Sequence, residues 1–206
     1  MRIARRLLIG LAALALLPAM ASAQRPALRP DDMTLGKPKA RVVIVEYASL
    51  SCPHCARFHR DVFPALKTKY IDSGKVLFVY REFVTSPVEV AVPATILARC
   101  AAPKDYFTVI AKVFDAQEQI YRDGTVPGLL KTLKGIGASV GIDEARFEAC
   151  LNDQAAFDAL KARIARAQAD GVDSTPTLMV NGRKVAPPAT GEMDLASLEK
   201  AIAAAK

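Results

Sequence analysis

Two cysteines two residues apart, Cys52-Pro53-His54-Cys55, stand where a strand-like run gives way to a helix-like one. The run before them, Arg41-Val42-Val43-Ile44-Val45-Glu46-Tyr47, is β-branched and mostly apolar, the pattern of a central strand buried on both faces. Pro53 suits the first turn of a helix, where the N–H that proline lacks has no partner anyway. The pattern predicts a helix from Pro53 towards Tyr70, split or kinked by Pro64 near Phe63 and stopped by Ser73-Gly74. Lys75-Val76-Leu77-Phe78-Val79-Tyr80 is a second strand, so the first helix joins two strands as a βαβ unit.

Residues 86–171 change character and read as helical throughout. Val88, Val92, Ile96 and Cys100 are spaced by four, and Tyr106, Val109, Ile110, Val113, Phe114 and Gln117 follow a helical stripe. Asp143 and Asp153 are placed as N-caps, and Gly171 as a C-terminal stop. Strand signals return at Thr177-Leu178-Met179-Val180. Asn181-Gly182 is a hairpin turn, with Arg183-Lys184-Val185-Ala186 as the returning strand. Asp194 caps a last helix carrying Leu195, Leu198 and Ile202. The expected fold class is α/β, a central mixed β-sheet flanked by helices with an inserted all-helical subdomain. Its first half is 41–85, the insertion 86–171 and the second half 172–206.

The chain opens with an address. Arg2, Arg5 and Arg6 precede an apolar run, Leu7 to Leu17, which Pro18 ends before Ala21-Ser22-Ala23. This is the layout of a secretory signal peptide cleaved near Ala23, the alternative being an uncleaved anchor. Arg5-Arg6 also admits a twin-arginine signal. Residues 24–40 are polar, contain Pro26, Pro30 and Pro38, and read as an N-terminal arm. An exported, periplasmic chain enters a compartment where disulfides persist. Residues 1–23 hold three of the 28 basic residues and none of the 21 acidic ones, which leaves a mild +4 without a cationic cluster. Nucleic acid is therefore not an expected partner.

Cysteines at this spacing, at the start of a helix after a strand, form a thiol–disulfide pair. Cys52 meets unpaired backbone N–H groups and the positive end of the helix dipole, which favour its thiolate. The thiolate is the reactive species, so Cys52 is the attacking and leaving sulfur. Cys55, one turn inside, is the resolving thiol. His54 adds a donor and a positive charge near Cys52. A Cys52 pKa of ~4 against about 8.5 for a free thiol would stabilise the reduced form by about 4 kcal/mol at pH 7. That is roughly 90 mV, against about 150 mV between a mild reductant and a strong oxidant of this chemistry. Three alternatives stand beside this reading: half of a zinc site with His59, a passive structural disulfide, and a surface His54 with no role.

These residues resemble the DsbA-like thiol–disulfide oxidoreductases of the thioredoxin superfamily. The likeness covers Leu35-Gly36-Lys37-Pro38, Val43-Ile44-Val45-Glu46-Tyr47, Cys52-Pro53-His54-Cys55, Tyr80-Arg81-Glu82-Phe83, Ser174-Thr175-Pro176-Thr177 and Asn181-Gly182. The Pro-His dipeptide is its specific part. The resemblance implies a thioredoxin fold and a cis Pro176. It places the Thr175 backbone beside Cys52, offering an edge to a substrate peptide. It implies that Glu46 is a buried acid relaying the proton of Cys55, where the bland reading is a strand-end carboxylate facing water. The family often supplies a lysine to that acid from the next strand, and here that strand has none. No cofactor and no metal are implied. The implied partners are reduced, unfolded secreted polypeptides and a DsbB-type, quinone-linked membrane reoxidant.

Cys100 and Cys150 are the even remainder of an exported chain and read as a structural disulfide, the alternative being two buried free thiols. A loop of this size stabilises by about 4 kcal/mol in the chain-entropy model. Two functions of different class remain. One is an enzyme, an exported dithiol oxidase or a disulfide isomerase or reductase. The other is a thioredoxin-fold binding module whose cysteines are ligands.

Overall fold

A computed structural model describes residues 25–205. The signal-like segment 1–23 and its cleavage point near Ala23 lie outside the described residues. The strands are β1 (Met33–Gly36), β2 (Val42–Ala48), β3 (Val76–Glu82), β4 (Thr177–Val180) and β5 (Arg183–Lys184). They form one mixed sheet in the order β1-β3-β2-β4-β5. β2 runs parallel to β3 and antiparallel to β4, which is where the βαβ reading put it.

Every residue of β2 is buried, because both faces of the sheet are covered. Val42, Ile44 and Phe78 face one core with residues of the helical insertion, while Val43, Val45, Leu77 and Val79 face another with Ala167 and Val172. The helices are α1 (Pro53–Asp61), α2 (Phe63–Leu66), α3 (Val88–Cys100), α4 (Tyr106–Asp123), α5 (Val126–Ala138), α6 (Glu144–Leu151), α7 (Gln154–Ala169) and α8 (Leu195–Ala204). Asp143, Asp153 and Asp194 each accept backbone N–H bonds as N-caps. Asn181 and Gly182 both take positive φ, 44° and 78°, as a primed hairpin turn requires. Asn181 Oδ1 also accepts from the Val43 N–H at 2.8 Å, tying the turn to the central strand. Cys100 and Cys150 are joined as a disulfide, with Cα atoms 6.1 Å apart, linking α3 to α6. Among the described residues no helix is long and apolar enough to cross a membrane.

Four local readings change. The arm contains β1, antiparallel to β3 at the sheet edge. Only Met33 and Leu35 of this strand turn inward, too short an alternation to stand out in the sequence. The predicted helix splits at Val62, beside Phe63 as expected and with Pro64 in the first turn of α2, but ends in a turn of π-helix over Lys67–Ile71. β3 runs on through Arg81 and Glu82, whose charges are neutralised inside the fold rather than ending the strand. The returning hairpin strand stops at Lys184, short of Ala186.

Candidate active site

Cys52 is the extended residue just before α1, and Pro53 opens that helix. Cys52 is 6% exposed and Cys55 is fully buried, and both thiols are free. The Thr175–Pro176 peptide is cis. Cys52 Sγ donates to the Thr175 carbonyl at 3.3 Å, so the start of β4 lies against the helix start.

The two thiols are driven apart in acidity. The Cys52 pKa falls from an ordinary 9.0 to about 6. Its largest cause is a hydrogen bond from the Cys55 side chain; burial opposes it, and the Thr175 side chain and the backbone N–H groups of Cys55 and His54 add to it. Burial pushes Cys55 well above its ordinary value, and the charges of Cys52 and Glu46 push the same way. A depressed pKa stabilises the folded dithiol above pH 6, and the effect fades as pH falls through that value. At pH 7 it amounts to about 1.4 kcal/mol, roughly 30 mV, rather than the roughly 90 mV that a pKa of ~4 would give.

The His54 side chain is engaged elsewhere. It is 57% exposed and hydrogen-bonded to Glu192, with Nδ1 2.8 Å from Glu192 Oε1. Arg57 donates to the same oxygen. The backbone N–H of His54 is what reaches Cys52, and none of the largest influences on that thiol is the imidazole. His54, Thr175, Pro176 and Glu192 line one side of a hollow of about 290 Å³ beside the dithiol.

Glu46 is fully buried, so the water-facing alternative for it falls. It lies on the face of β2 that α1 covers, and His59 of α1 takes the place that a lysine would fill, with Nε2 2.8 Å from Glu46 Oε2. The His59 Nε2 that the zinc alternative would use is thus engaged by Glu46.

A thioredoxin family model matches residues 28–204. The chain belongs to the thioredoxin family. Its fold is DsbA-like: α-DsbA1 of Wolbachia pipientis superposes with a TM-score of 0.72 at 29% identity, covering 88% of this chain and 94% of that one. A protein-disulfide isomerase from Novosphingobium aromaticivorans superposes with a TM-score of 0.72 at 25% identity, covering 84% of this chain and 96% of that one. By sequence the chain is 36% identical over 153 residues to a Rickettsia typhi protein whose name places it among protein-disulfide oxidoreductases. That match covers 74% of this chain and 55% of the Rickettsia protein, so the chain spans about half the length of such relatives.

In this thioredoxin-family chain the fold brings Cys52, Cys55, Thr175 and Pro176 to one point, with Glu46 beneath. Pro53 serves as the helix opener. Cys100 and Cys150 lie elsewhere, in the insertion. Other contributors were invisible in the sequence. The Gln117 amide, from α4, donates to the carbonyls of Leu50 and Cys52 at 3.0 and 3.2 Å. Tyr121 donates to the Ser51 carbonyl. Together they bind the insertion to the loop that carries Cys52. Gln117 showed only as part of an apolar stripe, and only its polarity among apolar neighbours signalled a partner.

Proposed function

We propose that the chain is an exported, periplasmic dithiol oxidase that donates its Cys52–Cys55 disulfide to cysteines of reduced, unfolded secreted polypeptides. The observation that carries this reading is the asymmetry of the pair. One sulfur sits at a helix start with its pKa lowered to about 6, and the other is buried one turn inside with its pKa raised. A substrate thiolate attacks Cys52, a mixed disulfide forms, and Cys55 leaves. The substrate's second thiolate then attacks its own sulfur in the mixed disulfide, releasing oxidised substrate and reduced enzyme. The Thr175 carbonyl beside Cys52 offers an incoming peptide a strand-like edge. A DsbB-type, quinone-linked membrane partner reoxidises the dithiol. The signal-like segment 1–23 supports export.

One observation favours a second reading, a disulfide isomerase or reductase: thiolate stabilisation contributes only about 30 mV at pH 7. Equilibration with glutathione at pH 7 separates the oxidase from a reductase, since an isomerase also lies well above thioredoxin. The oxidase reading expects a potential well above the roughly −270 mV of thioredoxin, and a value at that level defeats it.

A further inference from the structure

At the end of the sheet opposite the dithiol, strands β1, β2, β3 and β5 are each flanked by a basic side chain. Gly36, Val42, Val76 and Val180 mark that end, because Gly36 pairs with Leu77, Val42 with Val76 and Ile44 with Val180. Lys37 follows β1, Lys75 precedes β3, Lys39 and Arg41 precede β2, and Arg183 opens β5 across from Val180. The strand order sets these ends side by side, about 5 Å from one strand to the next. Local contacts tie them together. The Lys37 stem lies where a side chain at Gly74 would go, in the turn that leads to Lys75. Asn181, in the turn before Arg183, donates to the Arg41 carbonyl at 3.4 Å. Arg25 joins them through the Pro38 carbonyl, to which its guanidinium donates.

All six basic side chains are exposed, and among the described residues none of them has an ion-pair partner. Asp72, the acid in the turn before Lys75, is taken by Lys67 at 2.7 Å. No basic run announces this end in the sequence, because the row is assembled from four separate segments. Cys52 lies beyond the far end of β2, with about 20 Å of strand between.

We propose that this end of the sheet is a docking surface for a bilayer with anionic headgroups, which holds the chain at a membrane with its dithiol facing outward. Charge complementarity favours that partner, since each Lys or Arg near a negative lipid surface adds to the attraction. Residues 1–24 join the fold at Arg25, and Arg2, Arg5 and Arg6 followed by the apolar run Leu7 to Leu17 are the sequence of a membrane-directed segment. The row is therefore the part of the fold next to the bilayer while that segment is attached. A nucleic acid suits it less well. Tyr121, an exposed aromatic ring, stands at the other end against Ser51, away from any base that the row would hold. No cysteine takes part, so the proposal is independent of the dithiol reading.

The test is sedimentation with vesicles of the chain from Gln24 onward, which holds every strand and helix described above. Vesicles of phosphatidylglycerol and phosphatidylcholine are expected to bind it at low salt and to release it at about 1 M salt, where the Debye length is ~3 Å. Pure phosphatidylcholine vesicles are expected to leave it in solution. The triple variant Lys39→Gln, Arg41→Gln, Lys75→Gln is expected to bind about a hundredfold more weakly, about fivefold for each charge. A second triple variant, Lys112→Gln, Arg122→Gln, Lys131→Gln, removes the same charge from exposed positions on α4 and α5 and is expected to bind as the wild type does. Equal weakening by the two variants would make binding a matter of net charge and overturns the proposal. So does wild-type binding that ignores salt or lipid charge, or its absence on the anionic vesicles. If the first triple variant does not fold, Lys39→Gln alone is expected to lose about fivefold, and no loss overturns the proposal. A single-stranded oligonucleotide that binds more tightly than the vesicles and displaces them overturns it in favour of nucleic acid.

Discussion

Replacing Cys55 with Ala should abolish disulfide transfer and, at the same time, carry Cys52 back towards an ordinary thiol. The first effect is total, because without the second sulfur there is no disulfide to donate. The second follows from where the Cys52 thiolate finds its support. The hydrogen bond from Cys55 is the largest of the influences holding Cys52 at about 6, and alanine has no donor to replace it. Cys55→Ser keeps a hydroxyl at that position and should retain most of the shift while losing transfer just as completely. Peptide-oxidation assays and the thiolate absorbance at 240 nm measure the two effects separately. An alanine variant that still ionises near pH 6 would place the stabilisation in the helix start and Thr175.

The largest effect on stability is expected away from the dithiol, at Glu82. Its carboxylate is 2% exposed and pairs with two arginines, Arg99 and, at 3.1 Å, Arg163. Tyr106, itself fully buried, donates to it at 2.9 Å. Glu82→Ala leaves two largely buried guanidinium groups and a buried hydroxyl without the carboxylate they share, Asp31 being the acid that remains near them. Breaking a buried pair from one side costs about 3–5 kcal/mol, far more than the intact pair contributes to stability. A loss of that size is a large share of the roughly 5–15 kcal/mol that holds an ordinary domain folded. Urea unfolding monitored by circular dichroism reads it directly. A change under about 1 kcal/mol would mean that water reaches the cluster and screens it.

These two sites differ in how far the sequence announced them. The dithiol was legible because its chemistry is local: spacing, a proline and a strand-to-helix boundary fall within a few residues. Cys100–Cys150 was legible by parity, and the three aspartate caps by their position ahead of apolar runs. β1 was not, because a four-residue edge strand with two inward side chains carries almost no periodic signal. Glu82 stands out in the sequence only within Tyr80-Arg81-Glu82-Phe83, since a charged residue at a strand end looks solvent-facing until Arg99 and Arg163 arrive from helices of the insertion. The same holds for Glu46: the resemblance implies a buried acid beside the alternative of a water-facing one, and the next strand offers it no partner. His59 supplied it from the helix that crosses above. Glu192, 138 residues from His54, has no sequence signal at all, and it is the partner that the His54 ring takes.

The central claim is that Cys52 ionises far more readily than a free thiol. Its most direct measurement is the rate of alkylation of the reduced protein by iodoacetamide, followed from pH 3 to 9 and checked by absorbance at 240 nm. The account predicts a single transition near pH 6, with Cys55 silent across the range. A transition near the ordinary value of 9.0 would contradict it, and with it the assignment of Cys52 as the attacking and leaving sulfur.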